Sequence, residues 1–149
     1  MRRYALVALG TLLVSSLAAG WQQQSAPAGR TLKMKMNYTG AGTVDDTHKI
    51  YLFVFDTPDF MSGTVMPVAF ANTPSKNGVV EVSELNSSPV YIVAAYDSTG
   101  GYDGVSGPPP SGSSITFYSK SPGAPEPVKI EPGQTTEVEV AFDDSMKMP

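Results

Sequence analysis

The feature that most constrains this chain is Pro89–Asp97, Pro-Val-Tyr-Ile-Val-Ala-Ala-Tyr-Asp, a run of β-formers with no charge until its last residue. Strand side chains alternate, so Val90, Ile92, Ala94 and Tyr96 share one face and Tyr91, Val93 and Ala95 the other. A strand that is apolar on both faces is covered on both sides and sits inside its sheet. Ile50–Phe55 has the same character, apolar at every position, and is expected to lie inside its sheet as well. Leu32–Tyr38 and Thr135–Phe142 instead alternate. Leu32, Met34, Met36 and Tyr38 face inward with Lys33, Lys35 and Asn37 outward; Thr136, Val138, Val140 and Phe142 face inward with Glu137, Glu139 and Ala141 outward. That is the pattern of half-buried strands. The outward lysines of the first and glutamates of the last suit opposite-charge pairing if the two strands are neighbours.

Shorter strands are predicted over Val65–Ala71, Gly78–Ser83, Ile115–Tyr118 and Val128–Ile130. Pro67 restricts the first of these to a sheet edge. Leu85 is placed as a plug at the bottom of the core. Pro132-Gly133 marks a tight turn before the last strand. No stretch carries a helical period. About seven strands separated by turn signals predict an all-β fold, an antiparallel β-sandwich spanning residues 32–142, with 143–149 as a fraying polar tail. Between the strands, Ser98–Ser114 has no strand signal and holds five glycines and the triplet Pro108-Pro109-Pro110. Loops of this length inside a compact domain are functional or mobile.

Ahead of the domain, Met1-Arg2-Arg3 is a basic start, Ala5–Leu17 an apolar core, and Ala18-Ala19-Gly20 a set of small residues. Together they make residues 1–20 a signal peptide cleaved after Ala18 or Gly20, with 21–31 a flexible leader. The apolar stretch falls short of the roughly 20 residues of a membrane span. The expected location is periplasmic or extracellular, with no stable membrane insertion after cleavage.

The formal net charge is −4, and it becomes more negative once Arg2 and Arg3 leave with the signal. That balance argues against nucleic acid and anionic membrane surfaces, both of which select for basic patches. With no cysteine there is no thiol nucleophile, thiolate metal site or disulfide chemistry. With His48 as the single histidine, a multi-histidine zinc site cannot be assembled. No Gly-x-Ser-x-Gly elbow occurs to serve a Ser–His–Asp triad. Asp56 and Asp59 form a carboxylate pair, but they flank Pro58, which fits a turn with Asp59 as local acceptor better than a hydrolytic cleft. The chain is therefore not expected to be an enzyme.

Three segments carry a family resemblance: Gly78-Val79-Val80-Glu81-Val82 with Leu85 and the strand ending Tyr91-Ile92-Val93-Ala94-Ala95-Tyr96-Asp97; Leu52–Phe60; and Val128–Val138. Together they resemble the prealbumin-like (transthyretin-like, carboxypeptidase regulatory-like) sandwich modules of bacterial secreted and surface proteins. The resemblance spans roughly residues 32–142. It implies a non-catalytic spacer, adhesive unit or carbohydrate-facing domain that meets a protein or carbohydrate at the cell envelope. Where such modules carry an acidic, Asn- and Gly-rich loop suited to calcium, this chain has Asp97-Ser98-Thr99-Gly100-Gly101-Tyr102-Asp103-Gly104. Its two carboxylates, with the Thr99 hydroxyl, fall short of the six to eight oxygens calcium takes.

The candidate ligand-binding residues are Asp97, Thr99, Tyr102, Asp103 and Tyr118. If calcium binds, Asp97 and Asp103 would be joined by Asp45 and Asp46 from the loop after the first strand. Tyr96, Tyr102, Phe117 and Tyr118 could form an aromatic ledge for sugar or peptide. If Tyr96 and Phe117 are core instead, only Tyr102 and Tyr118 remain exposed.

Overall fold

A computed structural model describes residues 28–149, so the expected signal peptide and most of the leader lie outside the described residues. The described chain is all-β: β1 (Arg30–Tyr38), β2 (Ile50–Phe55), β3 (Ala69–Thr73), β4 (Val79–Leu85), β5 (Tyr91–Tyr96), β6 (Ser114–Phe117) and β7 (Thr135–Phe142). A single 3₁₀ segment, Pro58–Ser62, follows β2. The strands form two sheets, ordered β4-β1-β7 and β3-β2-β5-β6. Their inner faces share one core, in which Leu32, Met34 and Met36 of β1 meet Leu52, Val54, Ile92 and Ala94 of β2 and β5.

The two strands that are apolar on both faces occupy the two interior positions of the four-stranded sheet, as their composition requires. Their faces separate as the alternation predicts. Val90, Ile92, Ala94 and Tyr96 enter the core between the sheets. Tyr91, Val93 and Ala95 join Tyr51, Phe53 and Phe55 in a second apolar cluster on the outer face. Leu85 is buried in the main core, and Met34 and Met36 are fully buried within it.

One ladder departs from an all-antiparallel sandwich. β1 pairs with β4 antiparallel, but with β7 it pairs parallel, in register from Thr31↔Thr135 to Tyr38↔Phe142. Side-chain alternation is the same in either direction, and a long chain between two strands permits both, so the pattern alone does not set polarity. The charge pairing holds all the same: Lys33 Nζ lies 2.7 Å from Glu137 Oε1, and Lys35 Nζ 3.0 Å from Glu139 Oε1.

Other boundaries shift for local reasons. β1 begins at Arg30, inside the stretch expected as leader, where the Arg30 guanidinium donates to the Ile130 carbonyl at 2.9 Å. β3 is an edge strand that starts only after Pro67, which supplies no amide to a ladder. Val128–Ile130 makes a single bridge, Val128 to Val90, although Val128 and Ile130 are both buried.

Residues 143–149 do not fray. The Asp144 carboxylate accepts from Tyr38 Oη at 2.6 Å, the Ala41 amide at 2.8 Å, Ser114 Oγ and Lys147 Nζ. These donors, the Ser114 hydroxyl foremost, hold its carboxyl far below the usual carboxylate range. Beyond it the tail runs along the free edge of β6, where Ile115 N donates to Met146 O and Met148 N to Ser113 O. An otherwise open sheet edge is thereby covered.

Candidate functional site

The outer face of the four-stranded sheet needs a cover, and three irregular segments supply it. Phe53 and Phe55 of β2, Val93 of β5 and Ile115 of β6 form an apolar floor. One wall is the connection after β2. There Thr57 caps the 3₁₀ turn by accepting the Asp59 amide at 3.3 Å, Pro58 opens the turn, and buried Phe60 stacks on Phe55 with ring centroids 5.1 Å apart. The cap is Thr57, not the Asp59 side chain; Asp56 and Asp59 are both exposed.

The loop between β5 and β6 folds back over this floor as a roof, held by side-chain polar groups. Asp97, 1% exposed, accepts four hydrogen bonds. Its Oδ1 takes the Thr99 amide (3.0 Å), the Thr99 hydroxyl (2.8 Å) and the Gly100 amide (3.1 Å), and Oδ2 takes the Tyr102 amide (2.9 Å). Burial pushes its carboxyl up, but these donors outweigh burial and hold it below the usual range. Asp103 repeats the device with the Ser106 hydroxyl and the amides of Val105 and Ser106, which bring its carboxyl down to about 2.

Tyr102 hangs from the roof into the outer cluster. Its ring meets Tyr51 edge-on at 5.0 Å, its carbonyl accepts the Tyr51 hydroxyl, and its own hydroxyl donates to the Gly107 carbonyl at 2.6 Å. Burial, and then the charge of Asp103, push the Tyr102 hydroxyl up to about 12. Gly104, at φ +81°, lets the backbone descend onto Tyr51; a Cβ there would sit 3.0 Å from that ring.

Floor, wall and roof do not close completely. They enclose a cavity of about 260 Å³, finished at one end by Met148 and Pro149 of the tail. Among the described residues no charged side chain lines it, and Tyr102, whose hydroxyl is already engaged, brings the only polar side chain. At its edge Met61, Met66, Val68, Phe70 and Val105 are exposed, and Met66–Phe70 with Gly104 and Val105 line a shallower depression next to it. Isolated exposed apolar residues are ordinary; these stand side by side next to an apolar cavity.

The residues singled out from the sequence fall differently. Asp97, Thr99, Tyr102 and Asp103 do belong to one structure, but it is the roof, and the oxygens of both aspartates are turned onto their own loop. Tyr118 packs on the opposite side of the sheet, against the main core, and is half-buried like Tyr102. Tyr96 is core, stacked on Tyr38 at 4.7 Å, so the four aromatics form no ledge.

The loop carrying Asp45 and Asp46 does adjoin the roof: Gly101 N donates to Thr47 O at 3.3 Å. Yet Asp45 accepts the amides of Thr47 and His48 and lies 3.2 Å from His48 Nδ1, while Asp46 is exposed. Among the described residues no three of His, Asp and Glu gather closely enough to hold a metal ion. Of the cavity residues, Phe60 and Ile115 fall in the segments Leu52–Phe60 and Ile115–Tyr118 without marking a cavity there, and Met61, Met66 and Met148 carry no motif. The outward apolar set of β2 and β5 signals only that a cover is needed.

Comparison with known protein families, with curated proteins and with solved structures finds no match.

Proposed function

We propose that this protein is a secreted, non-catalytic β-sandwich of prealbumin-like type that works as an interaction module at the cell envelope. It takes a neutral, apolar group of its protein partner into the cavity on the outer face of the four-stranded sheet. The observation that carries this function is the cavity itself, about 260 Å³ with no charged side chain among the described residues and an apolar border. An apolar cavity of roughly 150 Å³ stays dry and accepts benzene, so this one has room for about one to two fused rings. The border supplies contact area around such an anchor, in the manner of a pocket that receives one dominant side chain. Secretion rests on the N-terminal segment, and the non-catalytic reading on the sequence, with no cysteine, a single histidine and no Gly-x-Ser-x-Gly elbow.

Indole, added to protein carrying ¹³C-methyl methionine, tests the site. Met61, Met66 and Met148 line the cavity, so their methyl signals should shift with saturation as a ring enters. Met34 and Met36, fully buried between the sheets, should not move. Equal movement of all five signals, or of none, would remove the cavity as a binding site.

A further inference from the structure

We propose that Met61 and Met66 are an oxidation gate for this cavity, their conversion to methionine sulfoxide turning off its uptake of apolar groups. The gate presupposes the binding function proposed above. The chain has no cysteine, so thioethers are its oxidisable sulfurs. Their exposure grades them. Met34 and Met36 are 0% exposed, Met148 is half-buried and Met146 39% exposed, whereas Met61 and Met66, at 62% and 66%, are the most open of the cavity-lining methionines. An oxidant in solution thus meets the cavity border before it can reach the core.

The step is a two-electron oxygen transfer from a hydroperoxide. A sulfur lone pair attacks one peroxide oxygen, the O–O bond breaks, and that oxygen stays on sulfur. The other oxygen leaves after proton transfer as water from hydrogen peroxide, or as an alcohol from an alkyl hydroperoxide. Sulfur is oxidised by two electrons and the peroxide reduced by two.

The product is polar and a strong acceptor where the thioether was apolar. No side chain among the described lining residues is free to donate to it, because the Tyr102 hydroxyl is committed to Gly107. The sulfoxide therefore stays hydrated at the border, carries water to the entrance, and gives up the thioether contact that favours a ring. Both side chains stand outside the main core, so the fold is not the thing switched. Methionine sulfoxide reductases restore the thioether, which makes the gate reversible.

The test is stepwise hydrogen peroxide treatment of the purified protein, followed by peptide mass spectrometry, indole binding and thermal unfolding. Met61 and Met66 should each gain one oxygen at least about tenfold faster than Met34 and Met36. Indole affinity should fall by about threefold or more while the melting temperature is unchanged. The M61L/M66L double variant, whatever its starting affinity for indole, should keep that affinity through the same treatment. Oxidation of Met34 and Met36 in step with the other two would overturn the proposal. So would indole affinity that survives full conversion of Met61 and Met66, and in that case the binding function stands without its gate. No indole binding before any peroxide is added would remove the binding function itself, and the gate with it.

Discussion

The two faces of the four-stranded sheet are built from the same strands and the same kinds of side chain, yet they are covered in opposite ways. On the inner face Leu52, Val54, Ile92 and Ala94 meet another sheet, whose regular spacing lets side chains interdigitate without gaps. On the outer face Phe53, Phe55, Val93 and Ile115 meet loops, whose backbone amides need partners before they can lie on an apolar floor. Asp97 and Asp103 supply those partners, and Tyr51 and Tyr102 tie the loop down. A cover set by polar staples cannot also follow every contour of the floor, and the cavity is what it leaves. Regular packing gives the molecule its stability, while irregular packing gives it an opening.

The difference can be broken most directly at Asp97. Asp97→Ala strips four part-buried donors of their buried acceptor and should cost about 2 kcal/mol in chemical denaturation. Hydrogen exchange should show the Thr99, Gly100 and Tyr102 amides opening while β1 and β5 stay protected; equal loosening everywhere would mean that the roof and the core are one unit.

A matched pair of truncations sharpens the contrast. Val54→Ala on the inner face, 0% exposed, should cost about 2.5 kcal/mol, and Val93→Ala beside the existing void nearer 1.5. Equal losses would mean that the outer face is packed as tightly as the inner.

Titration separates the covers by charge. The Asp97, Asp103 and Asp144 carboxyls are all depressed, so their support is complete above the ordinary carboxylate value near 4 and is lost as pH falls through their lowered values, about 2 for Asp103. Tyr102 is shifted the other way. Its support is complete below the ordinary tyrosine value near 10 and is lost as pH rises to about 12. Roof and tail signals should therefore change at both extremes before the strand amides do, a sequence that NMR-monitored titration would reveal or refute.

Two smaller effects follow. The Lys35–Glu139 pair is half-exposed and should show a slight coupling in a double-mutant cycle that fades in high salt. Millimolar calcium should leave the melting temperature unmoved, since the roof carboxylates face their own amides; a rise of several degrees would show that a cation can displace those bonds.

What the sequence makes legible follows from what periodicity measures. The doubly apolar runs at Ile50–Phe55 and Tyr91–Tyr96 announce interior strands covered on both sides, and both are. Lys33, Lys35, Glu137 and Glu139 announce a neighbouring pair of strands through charge, but alternation reads the same in both directions, so the parallel ladder stays hidden. The loop was visible as a loop and its aspartates as turn formers. That it folds over Phe53 and Val93 depends on contacts made across the chain, such as the Tyr51 hydroxyl reaching the Tyr102 carbonyl, which no local pattern encodes. The tail is hidden for the same reason: Asp144 finds Tyr38 and Ala41 more than a hundred residues away.

The parallel ladder between the first and last strands has a mechanical consequence. Arg30 enters β1 at one end of that ladder, and Phe142 leaves β7 at the other. A pull applied through the two ends of the domain would first peel the tail from β6. It would then draw β1 and β7 past each other along their length. The register from Thr31↔Thr135 to Tyr38↔Phe142 would then be loaded in shear, its hydrogen bonds sharing the force at once instead of opening one by one like a zipper. A fold of modest thermodynamic stability can resist tension well when its terminal strands are joined in this way, because forced opening is governed by the barrier to unfolding.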